Sequence, residues 1–178
     1  MKKLSFQEAK DILVGCTILG TGGGGDLNKG IRAIKEVFEN GKEIKMLSFE
    51  EINDEAYYVN PYYCGSISPS KKNQEPGKML REEYDDAVLA VKSLEEYMGV
   101  EFEGVISIEY GGGNTGSAMA TAAKLGKYIV DCDAAGRAVP ELQFSTYGIT
   151  NKPIFPFSVA TKYGDAVIFP KVIFVFRP

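Results

Sequence analysis

An α/β fold, with a partly parallel sheet, flanking helices and an antiparallel C-terminal tail, is what this 178-residue sequence predicts. Three observations predict it. An apolar run, Gly104-Val105-Ile106-Ser107-Ile108, ends in Glu109 and, after Tyr110, a triple glycine. An Ala-rich helical pattern follows, and a second apolar run, Tyr128-Ile129-Val130, ends in Asp131 and Asp133. Together these outline a strand–helix–strand crossover. The tail then carries three strand-like pieces, 154–160, 166–169 and 172–176, with Tyr163-Gly164-Asp165 as the turn between the first two. Parallel strands joined by a helix present their carboxyl ends on one edge of the sheet, where open α/β sheets place ligands.

The elements can be read in order. Ser5-Phe6-Gln7-Glu8 is a capping box, so a helix starts at about Phe6, with Phe6, Ala9, Ile12, Leu13 and Cys16 at helical spacing. Gly20-Thr21-Gly22-Gly23-Gly24-Gly25 must stop it, because consecutive glycines carry the largest backbone-entropy cost in a helix. Asp26 or Asn28 caps the next helix, whose apolar face is Ile31, Ile34, Val37 and Phe38 and whose stop is Asn40-Gly41. Residues 43–47 read as a short strand, and Ser48-Phe49-Glu50-Glu51 is a second capping box opening a brief helical turn. The stretch 57–64 is aromatic and β-forming, although Pro61 interrupts it. A polar loop at 66–77, a candidate lid, leads to a long helix from about 78 to 97 that Gly99 ends. Residues 138–147 read as helical or irregular, given Pro140.

The bulk numbers narrow the function. The length fits one domain over 1–178. A net charge of −4 and no basic run longer than Lys2-Lys3 or Lys71-Lys72 remove nucleic acid as an expected partner. Histidine is absent, so the chain alone offers no Ser-His or Cys-His pair and no His-ligated zinc. Acid–base work must fall to Asp, Glu, Lys, Tyr or Cys. Cys16, Cys64 and Cys132 are odd in number and widely spaced, which suits a reducing, cytoplasmic setting. Leu13-Val14-Gly15-Cys16 looks like a lipobox, but Gln7, Glu8, Lys10 and Asp11 before it fit an amphipathic helix and not a signal segment. No apolar run approaches a membrane span, so no membrane is expected as a partner.

The glycine runs and acids form the candidate site. The first run is neither a P-loop nor a dinucleotide fingerprint, and one or two glycines would suffice for a turn between helices. A ligand-facing loop with Gly22, Gly23 and Gly24 in contact is therefore expected. Gly111-Gly112-Gly113-Asn114 follows a strand and opens a helix, so Gly112 and Gly113 let a ligand approach the backbone, while Asn114 either caps the helix or reaches the ligand. Glu109 is costly to bury unpaired and calls for Arg137 or a metal ion as its partner. Asp131 and Asp133 share a strand face, and suit a hard cation such as Mg²⁺, an acid–base pair, or ordinary loop capping. Cys132 reads as a buried, inert thiol. Arg137 suits carboxylate or imide recognition, or else a plain salt bridge to Glu141.

Three segments carry a family resemblance: Leu19-Gly20-Thr21-Gly22-Gly23-Gly24-Gly25-Asp26, Glu109-Tyr110-Gly111-Gly112-Gly113-Asn114, and Asp131-Cys132-Asp133-Ala134-Ala135-Gly136-Arg137-Ala138-Val139-Pro140-Glu141-Leu142-Gln143. In this order, over nearly the whole chain, they resemble the N-terminal domain of the S-methyl-thiohydantoin desulfurase-like proteins. That family was long of unknown function and is related to the hydantoinase and oxoprolinase enzymes. Ala134 stands where the family pattern has Gly, and Cys132 where it has a small residue. The resemblance implies an α/β domain acting on a five-membered cyclic urea or thiourea. It also implies a second, C-terminal domain of similar size, which these 178 residues do not include.

The expectation is thus a hydrolase-type domain for a small cyclic amide or urea, a hydantoin or S-methyl-thiohydantoin-like ring. Glu109 or Asp133 acts as base toward water, Asn114 and the glycine N–H groups hold the oxyanion, Arg137 orients the substrate and Glu141 helps bind it. A divalent cation such as Mg²⁺ would sit on Asp131 and Asp133. The nearly all-apolar 172–176 run is expected to be covered by more protein, from a homo-oligomer or a partner chain supplying the missing domain. The rivals are a nucleotide- or phosphate–Mg²⁺-binding module and the non-catalytic half of a two-subunit enzyme.

Overall fold

The computed structural model describes residues 1–63 and 84–171. Their elements run β1 (Lys2–Leu4), α1 (Phe6–Leu19), α2 (Leu27–Glu39), β2 (Ile44–Leu47), β3 (Tyr57–Val59), α3 (Asp86–Met98), β4 (Phe102–Ser107), α4 (Gly112–Leu125), β5 (Tyr128–Asp133), α5 (Thr146–Ile149), β6 (Phe157–Ala160) and β7 (Ala166–Phe169). Short 3₁₀ turns sit at Phe49–Glu51 and Leu142–Phe144. A five-stranded sheet has the order β1-β2-β5-β4-β3, and β6-β7 form a separate antiparallel pair. Strands β2, β5, β4 and β3 are mutually parallel, and only the edge strand β1 is antiparallel. The expected α/β class and crossover are therefore present, with β4 and β5 side by side in one direction.

The core follows from register. Met46, Ile129 and Val105 lie side by side across three strands. They share an apolar cluster with Leu13, Ile34 and Met119, contributed by α1, α2 and α4. A second cluster joins Val91 and Leu94 of α3 to Phe102 and to Ile168 of β7. Among the described residues no helix is long and apolar enough to cross a membrane.

Local chemistry explains the boundaries. Ser5 and Glu8 form the reciprocal capping box of α1, and Asp26, not Asn28, caps α2 through the Lys29 amide. Ser48 and Glu51 form a second box, but it supports only the 3₁₀ turn. Several expectations need correction. Strand β1 was not foreseen. Strand β3 stops at Val59, because Pro61 lacks an amide donor and Asn60 instead donates its side chain to the Ile106 and Ser107 carbonyls. Helix α3 begins at Asp86 because the Asp85 carboxylate caps it, so Tyr84 and Asp85 are outside the helix expected from 78. It ends at Gly99, which adopts φ 65°. The tail strand expected from 154 starts at Phe157, after Pro156. The polar loop 66–77, Cys64, the first part of the 78–97 helix and the apolar 172–176 run lie outside the described residues.

Candidate functional site

The segments that follow β4 and β5 and the loop between α1 and α2 surround a hollow of about 1280 Å³. Residues 20–25, Glu109, Gly113, Asn114, Arg137 and Glu141 line it. Most of the residues singled out from the sequence are thus brought together. Asp131, Asp133 and Gly112 are not among its lining.

Glu109 is the best-anchored group. One carboxylate oxygen accepts from Asn114 Nδ2 at 2.7 Å and the other from the Val139 amide at 2.7 Å. Its expected partner Arg137 lies on the same hollow but donates Nε to the Ala138 carbonyl at 3.0 Å. The bonds found for Glu109 are therefore neutral amides, not a guanidinium. Arg137 and Glu141 are both exposed, and no ion pair joins them among the described residues.

The glycines that line the hollow also do work within the protein. The Gly24 carbonyl accepts from the amides of Gly113 and Asn114 at 3.1 and 2.9 Å, which satisfies the first turn of α4 from within the protein. Those two N–H groups are consequently not open to an oxyanion. Gly24 has φ 75°, and a β-carbon there would lie 2.4 Å from Gly111 Cα, so only glycine fits. Gly22 also has positive φ, but a β-carbon there meets nothing within 4 Å. Its side of the loop faces open space. Gly23 is limited by the Ala138 methyl.

Asp133 closes a turn, its carboxylate accepting from the amides of Ala135 at 3.2 Å and Gly136 at 2.8 and 3.0 Å. Burial nonetheless raises its pKa above the ordinary aspartate value, against those amides, and the nearby Glu109 charge adds to the rise. Asp131 is exposed. Among the described residues, no three Asp, Glu or Cys side chains converge to hold a metal ion. Burial raises the thiols of Cys16 and Cys132, with Asp133 and Asp131 adding to both. Tyr110 is pushed up to about 12, again mainly by burial.

Residues missed from the sequence extend the site. Ser117, Thr121 and Lys124 line the hollow along one face of α4, continuing from Asn114. Ten residues of helix make this face about 15 Å long. The signal was present as polar residues at helical spacing in an Ala-rich run. At the far end Lys124 pairs with Asp85 at 2.9 Å and Glu36 at 3.2 Å. The Tyr63 hydroxyl donates to Asp86 at 2.8 Å, and burial and that carboxylate raise its pKa.

Comparison with known proteins places this geometry. The family described as S-Me-THD-like, N-terminal domain, matches residues 7–171. The chain belongs to this family. In this S-Me-THD-like N-terminal domain both glycine runs and the Asp133–Gly136 turn lie within the matched residues. No curated protein matches it. It resembles an X-ray crystal structure of a protein from Chromobacterium violaceum, a structural genomics target, at 27% identity with a TM-score of 0.79. The likeness covers 100% of this chain and 47% of that one, so the S-Me-THD-like domain spans about half the solved chain's length.

Proposed function

We infer that the hollow binds a five-membered cyclic amide or urea of the hydantoin or S-methyl-thiohydantoin class, and that Glu109 assists attack of water on a ring carbon. The observation that carries this reading is the anchoring of Glu109. Both its oxygens are held by amides at the carboxyl end of β4, on the same hollow as Arg137. A carboxylate held in this way is oriented without being neutralised, which is what a general base needs. The exposed guanidinium of Arg137 suits the ring carbonyl and its developing charge. With an S-methyl-thiohydantoin, water adds to the carbon bearing sulfur and loses a proton to Glu109. The C–S bond then breaks, that proton leaves with methanethiol, and the second water proton passes to the ring nitrogen.

The family match and the 47% share of the solved chain support an activity completed by a second unit. The rival nucleotide–Mg²⁺ reading is less well supported, since the α4 amides that would cradle a phosphate are taken up by Gly24. The test is a thermal-shift titration of wild type, E109Q and R137A with hydantoin, S-methyl-thiohydantoin and ATP–Mg²⁺. The ring compounds should raise the wild-type melting temperature and R137A should abolish the rise. In E109Q, binding should persist while release of methanethiol, read with a thiol reagent, is lost. A rise with ATP–Mg²⁺ and none with the rings would overturn the reading.

A further inference from the structure

The hairpin β6–β7 has two unlike faces. Ile168 belongs to the apolar cluster with Val91 and Phe102, so the face it shares with Ser158 lies against α3. The register Phe157↔Phe169 and Val159↔Val167 puts those four residues on the opposite face. That face is wholly apolar, yet Val159 and Val167 are 49% and 53% exposed. A two-stranded hairpin with one face in water ordinarily alternates apolar-in with polar-out, and this one does not. The face is also preformed, with the Phe157 and Phe169 rings stacked at 4.8 Å and 17°.

A second, independent observation supplies an occupant for it. The family match runs to residue 171 and so includes the hairpin, while more than half of the similar solved chain lies beyond its equivalent of this domain. The hairpin is also joined to the site, since the Tyr84 amide donates to the Lys162 carbonyl in its turn region and the next residue, Asp85, lines the hollow.

We propose that the Phe157–Val159–Val167–Phe169 face is the seat of a second folded unit, the equivalent of the other half of the Chromobacterium violaceum chain. Docking there buries the apolar face and brings that unit beside the Asp85 end of the hollow. The inference does not depend on which ligand the hollow takes.

Superposing the solved chain on this one is the first test. The residues overlying Val159 and Val167 should be covered by its other half, and exposure of both there would overturn the proposal. The second test introduces aspartate at those two positions of the full-length solved protein. Its other half should then become about tenfold more sensitive to limited proteolysis, and an unchanged cleavage rate would overturn the proposal. In this chain, V159D/V167D should lower the melting temperature only modestly, through two like charges facing each other across the hairpin, because both residues are exposed. Light scattering decides the rival occupant: a wild-type dimer that the double variant abolishes would assign the face to a second copy instead.

Discussion

Gly30 and Gly112 meet backbone to backbone, and a β-carbon on Gly30 would lie 1.9 Å from the Gly112 carbonyl oxygen. Gly116, one turn along α4, meets the Gly30 Cα in the same way, at 2.5 Å from its own notional β-carbon. Helices α2 and α4 therefore approach at a distance only glycine permits, and this contact fixes the loop of residues 20–25 over the start of α4. The triple glycine is a packing device.

Substituting alanine at Gly30 must push the helices apart. Overpacking of this kind costs about 3 kcal/mol, enough to lower the melting temperature by about 6–12 °C in a chain of this size. Gly15 provides the control, since a β-carbon there meets nothing within 4 Å and Ala is the better helix former. G15A should stabilise by up to about 1 kcal/mol. Calorimetry that found G30A as stable as wild type would show that the helices are not held this closely.

Glu109 ties together two segments thirty residues apart, through Asn114 and Val139. E109A should cost about 1.5–3 kcal/mol, the range for hydrogen bonds to a charged group. It should also release the Val139 amide to hydrogen exchange, because that donor has lost its acceptor. E109Q keeps one acceptor oxygen for two donors, so its effect should be intermediate. Unchanged protection at Val139 in E109A would contradict the anchoring role.

The crossover is legible in the sequence because each part carries its own signal: apolar runs for β4 and β5, glycines at the turn, and alanines at helical spacing. Strand β1 is not, since three residues beginning Lys2-Lys3 show no periodicity and pair only because β2 offers an edge. The partners of Glu109 are half legible. Asn114 stands five residues away on the same turn, but the Val139 amide is a backbone group with no side-chain signature. The Gly24 carbonyl under α4 is hidden for the same reason. Opposite charge suggested Arg137 for Glu109, whereas two neutral amides satisfy the carboxylate.

Cysteine reactivity tests the electrostatics around Asp133. The Cys132 thiol is raised first by burial and then by the Asp133 and Asp131 carboxylates, so it is protonated and slow to alkylate at neutral pH. D133N keeps an acceptor oxygen for the turn while removing one negative charge. The thiol pKa should fall, and iodoacetamide labelling of Cys132, followed by peptide mass spectrometry at pH 8, should become faster. Cys16, only 6% exposed, should stay unlabelled in both proteins. Wild-type Cys132 that labels as fast as in denatured protein would show that the thiol is not held up.

Lys127 is buried with its ammonium 2.8 Å from Glu95 and bonded to the Phe102 carbonyl at 2.6 Å. Glu95 also accepts from the Phe102 amide, so the pair staples α3 to the start of β4. K127M leaves a largely buried carboxylate without its cation and should cost about 3–5 kcal/mol in urea unfolding. Adding E95L should recover much of that loss, since replacing both partners of a buried pair with apolar groups is often neutral. A double variant no better than K127M would mean that the staple sets the geometry of α3 as well as its charge balance.

The pH dependence of stability can be read from Glu8. Its carboxyl is held down at about 2, chiefly by the Lys2 ammonium 2.7 Å away and then by the Ser5 amide and hydroxyl of the capping box. A carboxylate depressed in the folded state binds fewer protons there than in the unfolded chain, so its contribution is present above its ordinary value and is lost as pH falls. Wild type should therefore be more stable than E8Q at pH 6, and the gap should close between pH 4.5 and about 2. The Lys2 part is an exposed ion pair and should shrink in 1 M salt, whereas the capping hydrogen bonds should not. Urea midpoints for the two proteins at three pH values, with and without salt, separate the two sources. A gap that persists undiminished at pH 2 would show that Glu8 acts through its shape in the helix cap and not through its charge.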